Sequence, residues 1–229
     1  ELHFRKSLEI SQRLASERLP RESAEVYYKL DLADTYMMFA NLYRDFGDLT
    51  AAMPWHDKAV ATLEAVFEKE TVGVNKRPLR NALWYRARTL HNLGRHAHAI
   101  KEWDRVIELS PPGEKARPRI NRAVALAASG QVNEALAEVA AVLKSPDLEP
   151  SWYSLACVYS VASAKVPEKQ REYADRAMKY LRTLSDSGWQ YPESLKKDPD
   201  FDAIRDRDDF KKLVAELEQT APPPREVRW

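Results

Sequence analysis

The sequence predicts an all-α chain assembled from helix hairpins, on three observations. Glycine recurs at the end of a helix-forming run and is followed five residues later by alanine: Gly47 with Ala52, Gly94 with Ala99, and Gly130 with Ala135. The flanking positions recur too, with Ala40, Ala87 and Ala123 seven residues before each glycine and Tyr43, Leu90 and Leu126 four before. Finally, only six glycines occur in 229 residues, and three of them are these. One unit has been copied along the chain, which is the mark of a helical repeat array.

Each position has a physical reason. Glycine reaches the left-handed conformation that ends a helix without a Cβ penalty, so Gly47, Gly94 and Gly130 serve as structural hinges. The paired alanines let two helices cross closely. Ala59 with Val60, Val106 with Ile107, and Val142 with Leu143 fall twelve and thirteen residues after the glycines and are placed to seal the second helix against the next unit. A single hairpin cannot bury both of its faces, so the units must stack.

Taken in order, Phe4, Ser7, Leu8, Ile10 and Leu14 have helical spacing and read as the second helix of a repeat whose first helix lies upstream of Glu1. Residues 1–32 are therefore expected to be this incomplete repeat and a linker. A first complete unit near 33–70 offers Tyr36, Phe39, Ala40, Tyr43, Gly47, Ala52, His56 and Ala59. The second, near 80–113, offers Leu83, Ala87, Leu90, Gly94, Ala99, Trp103, Val106 and Pro111. The third, near 116–148, offers Ala123, Leu126, Gly130, Ala135, Val139 and Val142. A fourth, 149–187, begins at Trp152 with Leu155, Ala156 and Tyr159, lacks the hinge glycine, and is expected to resume at Ala177, Leu181 and Leu184 after an insertion around Lys165 to Pro167. The longer step between the first two glycines points to an extended second helix or a loop through Thr71 to Val74. Arg86 and Arg122, eight residues before their glycines, are expected to lay their stems on apolar surface with their heads on a carboxylate or in water.

This pattern resembles the tetratricopeptide repeat, most closely over Arg80 to Gly113 and more loosely over the rest of residues 33 to 187. The resemblance implies a right-handed α-solenoid of about four such hairpins. The segment Leu195-Lys196-Lys197-Asp198-Pro199-Asp200-Phe201, continuing through Arg205 and Phe210 to Leu217, resembles the closing segment on repeat tails of bacterial serine/threonine kinases. Residues 188–219 are thus expected to form a helical cap, with Leu195, Phe201, Ile204, Phe210, Leu213 and Leu217 covering the last hairpin. Residues 220–229, carrying Pro222 to Pro224, read as a tail.

Composition sets limits. With 44% hydrophobic and 31% charged residues the chain can bury a continuous core without disulfides, and its single cysteine, Cys157, suits a reducing compartment. Thirty-six basic against 35 acidic residues give a formal charge of +1, so no global field draws it to nucleic acid or a membrane. A cytoplasmic location is expected.

Nothing in the chain marks catalysis. Asp45-Phe46-Gly47 imitates a kinase metal-binding string, but no glycine-rich loop, strand lysine or catalytic loop precedes it, so it reads as a hinge. His91, His96 and His98 cluster around Gly94 with no familiar zinc spacing, and no cofactor or metal is expected. The expectation is a non-enzyme, with any catalytic domain outside this chain.

The resemblance implies that the first helix of each unit lines a concave groove. Residues ten, six and three before each glycine share one helical face. They are Met37, Asn41 and Arg44; then Trp84, Arg88 and His91 with Asn92 beside them; then Ile120, Val124 and Ala127; and by analogy Tyr153, Cys157 and Ser160. The groove is expected to hold an extended peptide of a partner protein, with arginine and asparagine meeting acidic or carbonyl groups and Trp84 as an anchor. Met37 stands where carboxylate-clamp members of the family carry lysine, which disfavours chaperone tails. A sensor that encloses a small molecule or short signalling peptide is the alternative, suggested by the apolar Ile120 and Val124.

Overall fold

The computed structural model describes residues 6, 8–10, 12–13, 22–69, 75–145 and 151–220, and these form helices and connecting turns with no strand among them. They divide into two compact units, one ending at Pro111 and the other beginning at Pro112. The first unit holds α1 (Glu22–Asp45), α2 (Leu49–Lys69), α3 (Arg77–Asn92) and α4 (His96–Leu109), each packed on the next. The second holds α5 (Ala116–Ala128), α6 (Val132–Leu143), α7 (Trp152–Lys165), α8 (Gln170–Asp186), α9 (Pro192–Lys197) and α10 (Asp208–Thr220). Within it α5 packs on both α6 and α7, and α7 on α8.

Three hairpins turn at a left-handed glycine: φ is 82° at Gly47, 72° at Gly94 and 91° at Gly130. At Gly94 the glycine amide donates to the carbonyl of His91 and the Arg95 amide reaches back to that of Leu90, both at 2.9 Å. The same two bonds recur at the other hinges. This is the Schellman arrangement, which satisfies carbonyls that a helix end leaves orphaned.

Behind each hinge the repeat positions do the same work in different chemistry. Ala40 and Ala52, Ala87 and Ala99, and Ala123 and Ala135 are all fully buried, which brings the two helices of each hairpin together. Nine residues after the glycines stand His56, Trp103 and Val139, each 1% exposed. One slot therefore takes an imidazole, an indole or an isopropyl group, and the surroundings differ to match. Arg86 donates to Glu102 at 2.8 Å and to Asp57 at 3.3 Å, and Arg122 to Glu138 at 3.2 Å. The Arg86–Glu102 and Arg122–Glu138 pairs each join the position eight before a glycine to the one eight after it, within one hairpin, whereas Asp57 reaches Arg86 from α2 of the preceding hairpin.

The α7–α8 hairpin turns without glycine, through a short 3-10 turn at Pro167–Lys169. Its interface is aromatic: Trp152 stacks on Tyr180 at 6.0 Å, and Tyr159 lies against Tyr180 at 5.6 Å and Tyr173 at 6.0 Å.

Some expectations are displaced. Helix α1 starts at Glu22, so position 32, expected to end a linker, lies inside a helix of 24 residues. Leu8 and Ile10 are helical as expected, and Gln12 donates to the Tyr36 hydroxyl at 3.2 Å. Phe4, Ser7, Leu14, Thr71 to Val74 and 221–229 lie outside the described residues. Leu143, expected to seal a hairpin, is 43% exposed, because the buried stripe of α6 ends with Val142.

Candidate functional site

In the first unit the first helices of the two hairpins, α1 and α3, touch one another. Met37, Asn41 and Arg44 on α1 are half-buried. The Arg44 guanidinium lies over the Tyr85 ring of α3, 5.3 Å from its centre, and donates to Asp45 at 3.1 Å. That cation–π contact ties the two helices together. On α3, Trp84 is half-buried and stands edge-on to Trp103 of α4 at 4.9 Å, so one side of the indole is committed to its own hairpin. Arg88 and Asn92 are exposed. His91 is half-buried and its ring lies 4.9 Å from that of His96, across the Gly94 hinge.

The exposed residues of α3, Arg77, Asn81, Arg88 and Asn92, follow helical spacing and form one stripe with Trp84 in its middle. Those of α1, Tyr27, Asp31, Asp34, Met38 and Asp45, form another. Asp34 is held above the usual carboxylate range by its partial burial and then by Asp31, one helical turn away. Arg77, Asn81 and Tyr85 were missed by the sequence reading. Helical spacing back from Trp84 and Arg88 points to Arg77 and Asn81, but Tyr85 stands out only once α1 and α3 are brought side by side.

Beneath this face His56 of α2 is held by Thr89 of α3, with Nε2 and Oγ1 3.0 Å apart. The Thr89 hydroxyl spends its one proton on the carbonyl of Tyr85, at 3.1 Å, so the imidazole must donate from Nε2. Burial first, then the charges of Arg44 and Arg86, push the pKa of His56 down to about 4. It is neutral at physiological pH, and its role is to position α2 against α3.

The second unit corrects the groove assignment. Ile120 is 0% and Val124 5% exposed, and Ala127, Cys157 and Ser160 are buried as well. The physical reason is that α5 is flanked by both α6 and α7, and α7 by both α5 and α8, so these positions are taken up by core packing. Tyr153 is also taken. Its hydroxyl donates to Asp198 at 2.6 Å, and its ring meets Phe201 edge-on at 5.3 Å and Trp189 at 5.9 Å. Burial, with Cys157 and the aspartates adding, holds the Tyr153 phenol well above its ordinary value, so it stays a neutral donor.

What covers Tyr153 is the C-terminal segment. The 3-10 turn Pro199–Phe201 packs on α7, and Leu195, Phe201, Ile204, Phe210, Leu213 and Leu217 are all at most 3% exposed. Arg205 holds the segment in shape by donating to the carbonyls of Leu195 at 3.0 Å and Asp198 at 2.7 Å, to that of Lys196, and to the Asp202 carboxylate. Arg207 reaches Asp175 of α8 at 2.7 Å, and Arg182 of α8 reaches Glu216 of α10.

Cys157, Asp198 and Asp200 place donor atoms within 4.8 Å of one another. Both Asp198 oxygens are already engaged, one by Tyr153 and the other by the Asp200 amide at 3.0 Å. That bonding makes Asp198 the cap of the 3-10 turn, a structural task.

The fold and face define a helical repeat module with an accessible first-helix surface in its first unit. Comparison with known families agrees: residues 32–71, which take in most of the α1–α2 hairpin, match the family described as tetratricopeptide repeat. Tetratricopeptide repeats are in general protein–protein interaction modules. No curated protein matches the chain. Among the described residues no helix is long and apolar enough to cross a membrane.

Proposed function

We propose that this chain is a protein-interaction module which takes an extended segment of a partner protein along the first-helix face formed by α1 and α3. The observation that carries the reading is the contrast in exposure. Asn81, Arg88 and Asn92 reach solvent around a half-exposed Trp84, whereas Ile120 and Val124 at the corresponding places are buried, and the half-buried Tyr153 is engaged by Asp198 and Phe201. The candidate groove thus contracts to Met37, Asn41, Arg44, Trp84, Arg88, His91 and Asn92. Aromatic and arginine side chains of this kind dominate binding energy at protein interfaces.

The sensor alternative loses the apolar lining that suggested it, since Ile120 and Val124 are core residues. A regulatory or targeting place within a larger bacterial protein, such as a serine/threonine kinase, rests on the resemblance of the closing segment alone.

A random peptide display selection on the whole chain tests the reading. Selected peptides should lose binding when bulk is added at exposed positions of the face, as in Asn81→Trp or Asn92→Trp, with helicity unchanged. Peptides indifferent to both variants would move the binding surface elsewhere.

A further inference from the structure

The charge on the α1–α3 face is sharply divided. From Thr71 to Lys101 the sequence holds seven lysines and arginines, three histidines and no aspartate or glutamate. Arg86 of this run is neutralised by Asp57 and Glu102. Arg77, Arg88 and Arg95 are exposed, and none has an ion-pair partner among the described residues. Arg77 and Arg88 lie on the same stripe as Trp84.

From this division we propose that the α3 stripe recognises an acidic segment of the partner, extended alongside Arg77, Trp84 and Arg88. The inference rests on the reading of this face as a peptide site and names the chemistry of its ligand. Eleven residues of helix separate the two arginines, roughly 16 Å. An extended peptide covers that distance in about five residues. A segment with carboxylates about five residues apart therefore meets both guanidiniums, each of which binds a carboxylate in bidentate fashion. An apolar or aromatic side chain between them meets the half-exposed Trp84.

Arginines interleaved with an aromatic also fit nucleic acid, and α1 decides against it. Asp31, Asp34 and Asp45 are exposed on the neighbouring helix, and Asp31 and Asp34 have no cationic partner among the described residues. A continuous phosphate chain draws its affinity from many neutralised charges and is repelled by such carboxylates. A peptide confines its charges to the side that faces α3.

Fluorescence anisotropy of labelled octaglutamate with the 229-residue chain at low salt is the test. The wild type should bind it, binding should weaken at least tenfold in Arg88→Glu, and a glycine-serine octapeptide should not bind. Lys212→Glu makes the same change in net charge at an exposed position of α10 and should weaken binding less than twofold. Absence of octaglutamate binding, equal loss in the two variants, or tighter binding of a twelve-nucleotide oligothymidylate would overturn the proposal. Display peptides lacking acidic residues but still sensitive to Asn92→Trp would keep the peptide face and remove its acidic preference.

Discussion

The first-helix faces of the two units begin from the same repeat pattern and end in opposite states. In the first unit α3 presents Arg77, Asn81, Arg88 and Asn92 to solvent. In the second, α7 is buried without interruption from Leu155 to Ser160, and Tyr153 is engaged by Asp198 and Phe201. The difference teaches that a repeat position is only an opportunity for recognition. Whether it is used for binding or for stability depends on what else the chain lays across it. In the second unit, its own C-terminal segment does so, with an aromatic side chain and aspartates.

The sharpest way to break this comparison is to strip the closed face. Phe201→Ala removes a fully buried aromatic side chain and should cost about 3–5 kcal/mol in chemical denaturation. It should also let a thiol reagent reach Cys157, which is 3% exposed in the wild type. Unchanged labelling of Cys157 would mean that Phe201 is not what shields α7.

Acid should act next most strongly, on the first unit. His56 titrates near pH 4 when folded and near 6.5 when unfolded, so the unfolded chain takes up the proton first as pH falls. Its contribution is whole above about pH 6.5 and is lost toward pH 4, by up to about 3 kcal/mol. Urea midpoints at pH 7.5 and 4.5 should differ less in His56→Leu than in the wild type; an undiminished difference would assign the acid sensitivity to another group.

Arg205→Ala removes the donors that organise the cap and should cost about 2 kcal/mol by thermal or urea unfolding. A loss no larger than that of exposed Lys212→Ala would show the carbonyl contacts to be incidental. Gly94→Val should cost roughly 1 kcal/mol or more, because φ there is 72° and a Cβ in that conformation is strained. Space around Gly94 is open, so strain alone is measured. Arg88→Ala should sit within about 0.5 kcal/mol of wild type, since the side chain is exposed and without an ion pair among the described residues. A larger loss would give Arg88 a structural task and weaken its claim to a ligand.

Much of the fold was legible beforehand because its signals are local. Gly47, Gly94 and Gly130 mark left-handed turns through backbone sterics, and the alanines around them mark close crossings. The Arg86–Glu102 and Arg122–Glu138 pairs repeat at fixed offsets from those glycines and belong to the same local grammar. Of the candidate face, the exposure of its residues was legible in half. Trp84, Arg88 and Asn92 lie on an accessible stripe, whereas Ile120 and Val124 share the offset and are buried. Offset from a glycine gives the face of a helix and says nothing of its cover. Tyr85 escaped notice because its partner, Arg44, lies 41 residues away in sequence.

By itself, then, the order of amino acids determined the all-helical class, the hinges and the side of each helix that turns toward its hairpin partner, since these follow from backbone sterics and from spacing within one or two turns. Only the tertiary structure decided that α1 and α3 keep a charged face in water while α7 surrenders its own to Phe201 and Asp198. That outcome depends on contacts such as Tyr153 with Asp198, across 45 residues of chain, and burial at such range is a property of packing that no local pattern encodes.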